Sequence, residues 1–231
     1  MFRTSICASV LMAASMLLIA APAAAQQQSV SLNVGYFAVR GEDARVPGDV
    51  LVADLTDLAF NISDFSNATV GGEWLIGLGD YMEAGAGVNY YRRTTPSVYA
   101  NFVNLDGSEI QQDLKLRIVP ITVAVRFFPF SRHAGFQPYF GAGLGVYVWR
   151  YSETGDFIDV NSNIFRASYV ASGTNVGPIA MGGARVPIGS SFAAGGEIRY
   201  QKGEGTLTSD FVGDKIDLGG WTYQAVFQIK F

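Results

Sequence analysis

The sequence predicts an all-β fold, an eight-stranded antiparallel up-and-down transmembrane β-barrel with short periplasmic turns and long extracellular loops. Three observations lead to this prediction. Apolar and polar residues alternate along eight separate stretches, which is the period of a strand with two different faces. Short and long connections alternate between these stretches, and charged residues fall in the middle of the polar faces. An even strand number with this asymmetry of connections is typical of barrels that span an outer membrane.

The N-terminal segment has the composition of an export signal. Arg3 precedes a short apolar run that ends in Ala23-Ala24-Ala25. A basic start, a short apolar run and a small-residue cleavage site are typical of a secretory signal peptide, whereas a membrane anchor needs a longer run. We therefore expect residues 1–25 to be cleaved and residues 26–231 to form one barrel domain.

Composition excludes several kinds of site. The only cysteine, Cys7, lies in the predicted signal peptide, so the mature chain has no disulfide, thiol nucleophile or cysteine metal ligand. We expect no cofactor and no metal. Hydrophobic residues make up 49% of the sequence, but beyond the signal they are too dispersed for a membrane helix of about 20 residues. The net charge of −4 argues against a nucleic-acid partner.

The first three predicted strands alternate regularly. The second carries Glu73 in the middle of its polar face, and the third carries Glu83 on the corresponding face. The short turn Gly79-Asp80-Tyr81 joins these two strands, whereas a long polar connection follows the first strand. The three strands cover residues 29–39, 67–78 and 82–93.

The middle strands contain one irregularity. The fourth strand begins with an apolar face from Leu114 to Ile118, which places Arg117 on the polar face. Beyond Pro120 the apolar positions change phase, and since proline cannot donate to the ladder we expect a β-bulge there. The fifth strand alternates apolar residues with glycines, and the sixth has the weakest pattern. These strands cover residues 112–127, 138–151 and 175–187.

The last two predicted strands complete the ring. The seventh has Glu197 and Arg199 on its polar face, and the eighth has Gln224. They cover residues 191–202 and 218–231. Four long polar connections remain, at residues 40–66, 94–111, 152–174 and 203–217.

Alternation alone does not decide which face meets lipid, because a soluble ligand-binding barrel such as a lipocalin buries its apolar face inside. Mid-strand charges of both signs, scarce lysine and aromatic residues near the strand ends favour the membrane barrel, with two aromatic girdles. These aromatics are Tyr36, Tyr90, Tyr200, Trp221 and Tyr223 toward the long loops, and Tyr139, Phe192 and Phe231 toward the short turns.

The polar faces predict a network inside the barrel. An eight-stranded barrel is just wide enough to be filled by its own side chains, and buried charges are tolerated when they are paired. We therefore expect a closed, salt-bridged lumen; the alternative is a lining for a pore. The expected members are Glu73, Glu83, Arg117, Glu197, Arg199 and Gln224.

The C-terminal stretch WTYQAVFQIKF resembles the signal of outer-membrane proteins, an alternating strand ending in Phe that the barrel-assembly machinery reads. The matching positions are Tyr223, Phe227, Ile229 and Phe231. With the segments GGEW, PYFGAGLG and GGEIRY, the chain resembles small barrels of the OmpA, OmpX and OmpW type, the outer membrane protein β-barrel domain family. The resemblance implies a porin-like, cell-surface protein in the outer membrane of a Gram-negative envelope.

The first long loop carries an apolar stripe at helical spacing. We expect either a short helix packed on the barrel rim or an apolar lid that contacts a ligand at the outer mouth. The residues concerned are Leu51, Leu55, Leu58 and Phe60.

Catalytic groups are scarce. The only histidine, His133, lies in the connection after the fourth strand with no serine and acid arranged around it, and a hydrolase triad needs all three groups within hydrogen-bond reach. We therefore predict a non-enzymatic protein with a structural or surface-interaction role; the alternative is a small channel or transporter for hydrophobic or small solutes. The expected partners are outer-membrane lipid or lipopolysaccharide and the assembly machinery, and we expect a monomer.

Overall fold

Eight long strands pair into a closed ring in the computed structural model, which describes residues 27–159 and 161–231. The ring strands are β1 (Gln28–Val39), β3 (Asn67–Gly77), β4 (Met82–Val103), β5 (Glu109–Phe127), β6 (Gln137–Ile158), β7 (Ile164–Ile188), β8 (Phe192–Gln201) and β11 (Gly220–Lys230). Each pairs antiparallel with its neighbours, and β11 closes against β1. This confirms the predicted eight-stranded antiparallel barrel. The predicted signal peptide lies outside the described residues.

Short elements fill the two long loops. The first loop contains a 3₁₀ turn (Glu42–Ala44), helix α1 (Val50–Asp54), strand β2 (Leu58–Ala59) and a second 3₁₀ turn (Ile62–Phe65). The last loop contains a small hairpin of β9 (Glu204–Thr206) and β10 (Lys215–Asp217). Among the described residues, no helix is long and apolar enough to cross a membrane.

Strands β4 to β7 are much longer than a membrane requires. They have 19 to 25 residues, whereas a tilted barrel strand crosses the bilayer with about 9–11. Two of the predicted long loops, 94–111 and 152–174, are therefore mostly strand, and the hairpins that replace them project beyond the membrane on the long-loop side.

The polarity of the barrel wall inverts along these long strands. On β5, the outward face is apolar from Val119 to Phe127 but polar at Asp113, Lys115 and Arg117. The inward face changes in the opposite sense, so Leu114, Leu116 and Ile118 are buried inside the outer half. The inversion follows the surroundings: lipid requires an apolar outer face, and water requires a polar one.

The predicted bulge at Pro120 is wrong. The register of β5 against β6 is continuous from Gln112↔Gly155 to Phe127↔Phe140. Pro120 faces inward and keeps the phase of the strand. The change of apolar phase that suggested a bulge comes from the inversion of wall polarity at this height.

Aromatic side chains ring the outer end of the lipid-facing belt as predicted. Tyr36, Tyr90, Trp221 and Tyr223 all point outward and are 44–49% exposed. Tyr139, predicted in the opposite girdle, instead faces the lumen and is buried, because its neighbours Pro138 and Phe140 take the outward positions of β6.

Candidate functional site

The centre of the membrane-spanning lumen holds a ring of four alternating charges. Arg126 donates from Nη2 to Oε2 of Glu73 at 2.5 Å and to Oε2 of Glu197 at 3.1 Å. Arg199 contacts the other oxygens of the same two carboxylates, at 2.8 Å for Glu73 and 2.7 Å for Glu197. All four side chains are at most 3% exposed. Gln224 donates to Glu197 at 2.8 Å and completes the layer.

A second charged layer lies toward the short turns. Arg185 binds both oxygens of Glu83, at 3.2 and 3.1 Å, which is the paired geometry that strengthens guanidinium–carboxylate contacts. The Arg185 guanidinium also lies 4.8 Å above the ring of Phe128. Arg132 approaches Glu83 at 3.9 Å near the periplasmic end. The two layers are linked, because Arg126 comes within 3.8 Å of Glu83.

Close packing fills the space between these side chains. A Cβ placed at Gly87 would lie 2.3 Å from Cγ of Glu73, and one at Gly85 would lie 2.7 Å from a side-chain carbon of Leu75. Glycine is needed at these inward positions because long side chains from other strands occupy the same volume. The lumen at this height is therefore a packed interior.

The structure brings together five of the six predicted lumen residues: Glu73, Glu83, Glu197, Arg199 and Gln224. The placement of Arg117 is wrong, because it lies on the outward face of β5 just beyond the lipid-facing belt, where the outer wall is polar. Sequence reasoning missed Arg126 and Arg185. The sequence pattern could have identified Arg126, because it lies between Val125 and Phe127, whose side chains point outward, and its own side chain must therefore point into the lumen. Arg185 lies in the strand with the weakest alternation.

The outer half of the lumen is closed by an apolar core. Its wall residues come from β4 to β7, and the first loop inserts Leu51 and Phe65, both fully buried, into its top. Wall residues of this core are Tyr91, Leu114, Leu116, Ile118, Tyr147, Trp149 and Tyr151. The barrel thus has two successive closures, a charged one within the membrane and an apolar one above it.

The predicted loop stripe forms part of this apolar closure. Leu51 and Leu58 are buried, whereas Leu55 and Phe60 are partly buried against the core. Helix α1 is a single turn, ends before Leu55, and is capped by Asp49, whose side chain accepts from the Leu51 amide at 3.1 Å. The stripe therefore packs downward into the barrel mouth as a plug.

Buried polar contacts fasten this plug to the last loop. Asp49 accepts from Arg45 at 2.6 and 3.0 Å and from the Asp217 amide at 2.6 Å. Arg40 pairs with Asp217 at 3.0 Å, and the Tyr91 hydroxyl donates to the carbonyl of Phe65. Because both loops share these partners, moving the first loop away requires the loss of several buried charged hydrogen bonds.

Two carboxyl groups lie at the top of the apolar core. The Tyr151 hydroxyl donates to Oδ2 of Asp54 at 3.1 Å, and Glu153 is buried on the next inward position of β6. This stretch stands in water, because its outward residues Ser152 and Thr154 are polar. Burial raises the pKa of Asp54 to about 8, helped by the Glu153 carboxylate, and burial raises the pKa of Glu153 to about 7. A cavity of about 450 Å³ opens from this pair to the outside.

His133 lies in the turn between β5 and β6, with its side chain 62% exposed and its Nε2 atom 3.5 Å from Asp80. Within residues 27–159 and 161–231, no cluster of three or more His, Cys, Asp or Glu side chains is arranged to hold a metal ion.

A closed ring with an apolar outer belt and a polar interior defines an integral β-barrel of the kind that spans outer membranes. The sequence matches the family model "Outer membrane protein beta-barrel domain" over residues 10–228. The chain therefore belongs to this family, and its location is the outer membrane.

Several solved structures are similar to this chain at low sequence identity. Ail of Yersinia pestis is 11% identical with a TM-score of 0.49, covering 89% of this chain and 99% of Ail. Neisserial surface protein A is 11% identical with a TM-score of 0.48, covering 89% and 97%. Outer membrane protein W of E. coli is 15% identical with a TM-score of 0.37, covering 88% and 97%. Among curated protein sequences there is no significant match.

Proposed function

We propose that this protein is a non-enzymatic, monomeric barrel of the outer membrane with a closed lumen and a structural or surface-contact role. The observation that carries the proposal is the double closure. The ring of Glu73, Arg126, Glu197 and Arg199 fills the membrane-spanning lumen, and the apolar core with its inserted loop fills the outer half. Because side chains fill both halves of the lumen, the surface accessible to partners is the outer wall and the loop tips.

An ion that crossed this barrel would have to separate the charged ring. The four side chains are at most 3% exposed and form ion pairs of 2.5–3.1 Å with one another, and removing one partner from such a group costs about 3–5 kcal/mol. The ion would then meet the apolar core, which offers few groups to replace its hydration shell. Both barriers support a barrel that does not conduct steadily.

The alternative is a small transporter for hydrophobic or small solutes, and one observation favours it. The cavity of about 450 Å³ at the outer mouth is lined by Leu58 and Phe157 beside Asp54 and Glu153. Such a mixed lining suits a small amphipathic molecule. In this alternative, Leu51, Leu55, Leu58 and Phe60 act as the lid whose movement admits the solute.

Partners follow from the outer surface. The alternating outward face of β11, with Tyr223, Phe227, Ile229 and Phe231 exposed to the surroundings, supports recognition by the barrel-assembly machinery. The outer belt supports contact with outer-membrane lipid, including lipopolysaccharide. We expect no nucleic-acid partner for a chain with a net charge of −4.

We expect refolded residues 26–231 to show no steady single-channel conductance in a planar bilayer, because both closures block the path. A Glu197→Gln/Arg199→Gln variant removes a charge pair from the ring and keeps polar side chains at both positions. It should also be silent, since the apolar core above remains intact. The Leu51→Ala/Phe65→Ala variant removes side chains from the apolar core and leaves the charged ring intact, so it tests the outer closure separately. Steady conductance of the parent that changes in either variant would contradict the closed lumen and favour the transporter.

A further inference from the structure

Three arginines stand directly opposite one another on the outer wall. Arg92 of β4 is the register partner of Arg117 of β5, and Arg117 is the register partner of Arg150 of β6. Lys115 is the next residue of β5 that faces outward, two residues from Arg117 on the side away from the membrane. Like charges opposite each other on neighbouring strands destabilise a sheet, so this arrangement calls for a compensating anion.

Nothing in the described part of the chain supplies that anion. None of the four basic side chains has a carboxylate within 4 Å among the described residues. Nε of Arg117 is buried and has no hydrogen-bond partner there. Asp113, the next outward residue of β5 beyond Lys115, forms no ion pair with the cluster among the described residues. The cluster is therefore a concentration of unneutralised positive charge on a protein of net negative charge.

The height of the cluster places it at the surface of the membrane. The last apolar outward residues on the three strands are Tyr90, Val119 and Val148. Each arginine of the cluster lies two residues further along its strand, about 7 Å at a rise of about 3.3 Å per residue. Tyr90 marks the interface, where amphipathic rings collect. The cluster therefore lies at headgroup level on the side of the long loops, which faces the outer leaflet.

A surface cavity joins the four basic side chains. It has a volume of about 340 Å³ and is lined, in addition to the cluster, by Val170 and by the hydroxyl-bearing residues Ser152, Thr154 and Ser168. Guanidinium groups bind phosphate through paired hydrogen bonds, and hydroxyls can donate to the remaining oxygens. The cavity is large enough for a phosphorylated sugar, and its mainly charged and hydroxyl-bearing lining suits an anion.

We propose that this cluster is a binding site for a phosphate on the headgroup of lipopolysaccharide, the phosphorylated glycolipid of the outer leaflet. The inference rests on the lipid contact proposed above, and it does not depend on whether the lumen conducts. Lipid phosphate is the source the geometry favours, because the site opens sideways at the level of the headgroups and directly above the lipid-facing belt.

The test is a titration of the refolded protein in detergent with lipid A carrying two phosphates, with dephosphorylated lipid A, and with inorganic phosphate. The variant is Arg92→Gln/Arg117→Gln/Arg150→Gln. The matched control, Arg166→Gln/Lys202→Gln/Lys215→Gln, removes the same formal charge from positions outside the cluster. We expect the cluster variant to bind phosphorylated lipid A at least ten-fold more weakly than the parent, and the control to bind it within about two-fold of the parent.

Each other result overturns the site. Equal losses of lipid A affinity in the two triple variants would show a general charge effect. Equal affinity of the parent for phosphorylated and dephosphorylated lipid A would show a purely apolar contact. Inorganic phosphate that binds as tightly as the lipid would show a site for free anions. Lipid binding that survives the cluster variant would leave the envelope role intact and remove only this site.

Folding of the variant is measured separately. Because the substitutions relieve repulsion between neighbouring strands, the thermal unfolding midpoint without lipid should be equal to or above that of the parent. The single substitution Lys115→Gln gives a second measurement in which all three arginines are retained, and we expect about a three-fold loss of lipid affinity. A lower midpoint without lipid would show that the arginines already have a compensating partner within the protein and would contradict the proposal.

Discussion

Arg126→Met should lower the free energy of unfolding by about 3–5 kcal/mol, the cost of breaking a buried charge group by removing one partner. Arg126 contacts both Glu73 and Glu197 and lies near Glu83. Without it, Arg199 alone would face the first two carboxylates, and methionine would fill the volume without neutralising them. The measurement is urea unfolding of the barrel in lipid vesicles, followed by tryptophan fluorescence.

Arg166→Met is the matched control, because the Arg166 side chain is 78% exposed and its pair with Asp156 is long, at 3.7 Å. We expect this change to stay within about 0.5 kcal/mol of the parent, as surface substitutions usually do. A double variant, Glu73→Gln/Arg126→Met, should recover part of the loss because one unpaired carboxylate is removed. An Arg126→Met barrel as stable as the control would mean that water or ions screen the ring, and the lumen would not be closed.

The lumen ring could be predicted in part because a charge in the middle of a membrane-spanning strand must point away from lipid. Glu73, Glu197 and Arg199 share strands with outward aromatics, and those aromatics fix which face meets lipid. Arg126 follows the same rule in β5. Its pairing with both glutamates depends on which strands face each other across the barrel, and the sequence does not contain that information in a local pattern.

Arg117 was misplaced for a different physical reason. A period of two residues shows that a strand has two faces, but it does not show which face meets water. Leu114, Leu116 and Ile118 were compatible with a lipid-facing surface, whereas they form the interior of a part of the barrel that stands in water. The same inversion explains why the predicted loops 94–111 and 152–174 are strands, since their polar residues are an outer wall.

The same set of strands therefore forms two barrel sections with opposite polarity of the inner and outer faces. Below Tyr90 and Val148 it is built as a membrane protein, with charge inside and apolar residues outside. Above them it is built as a soluble barrel, with an apolar core and a polar wall. The arginine cluster stands at the boundary between the two, where the wall first becomes polar.

The outer closure should loosen as the pH rises. Burial raises the pKa of Asp54 to about 8 and that of Glu153 to about 7, from the ordinary values of 3.8 and 4.5. The closed plug thus holds more protons than the open one, so its stability is complete below about pH 4 and declines as the pH rises through about 7 and 8. The two groups titrate as a pair, so both contribute to the loss of stability as the pH rises.

The natural reporter is Trp149, which is 2% exposed within the apolar core. The chain has three tryptophans, so Trp74→Phe/Trp221→Phe leaves this one alone. We expect quenching of Trp149 by acrylamide to increase between pH 6 and pH 9. In the added Asp54→Asn/Glu153→Gln variant the quenching should stay low and flat across this range, because neutral side chains replace the carboxyl groups.

Asp43→Asn is the control for this experiment, because Asp43 is an exposed acid of the same loop. It should leave the pH dependence of quenching unchanged. If quenching instead rose toward acid pH, or kept its pH dependence in the Asp54→Asn/Glu153→Gln variant, the buried pair would not control the closure. A loop held closed at every pH would mean that the contacts of Asp49 with Arg45 and Asp217 outweigh the charging of the pair.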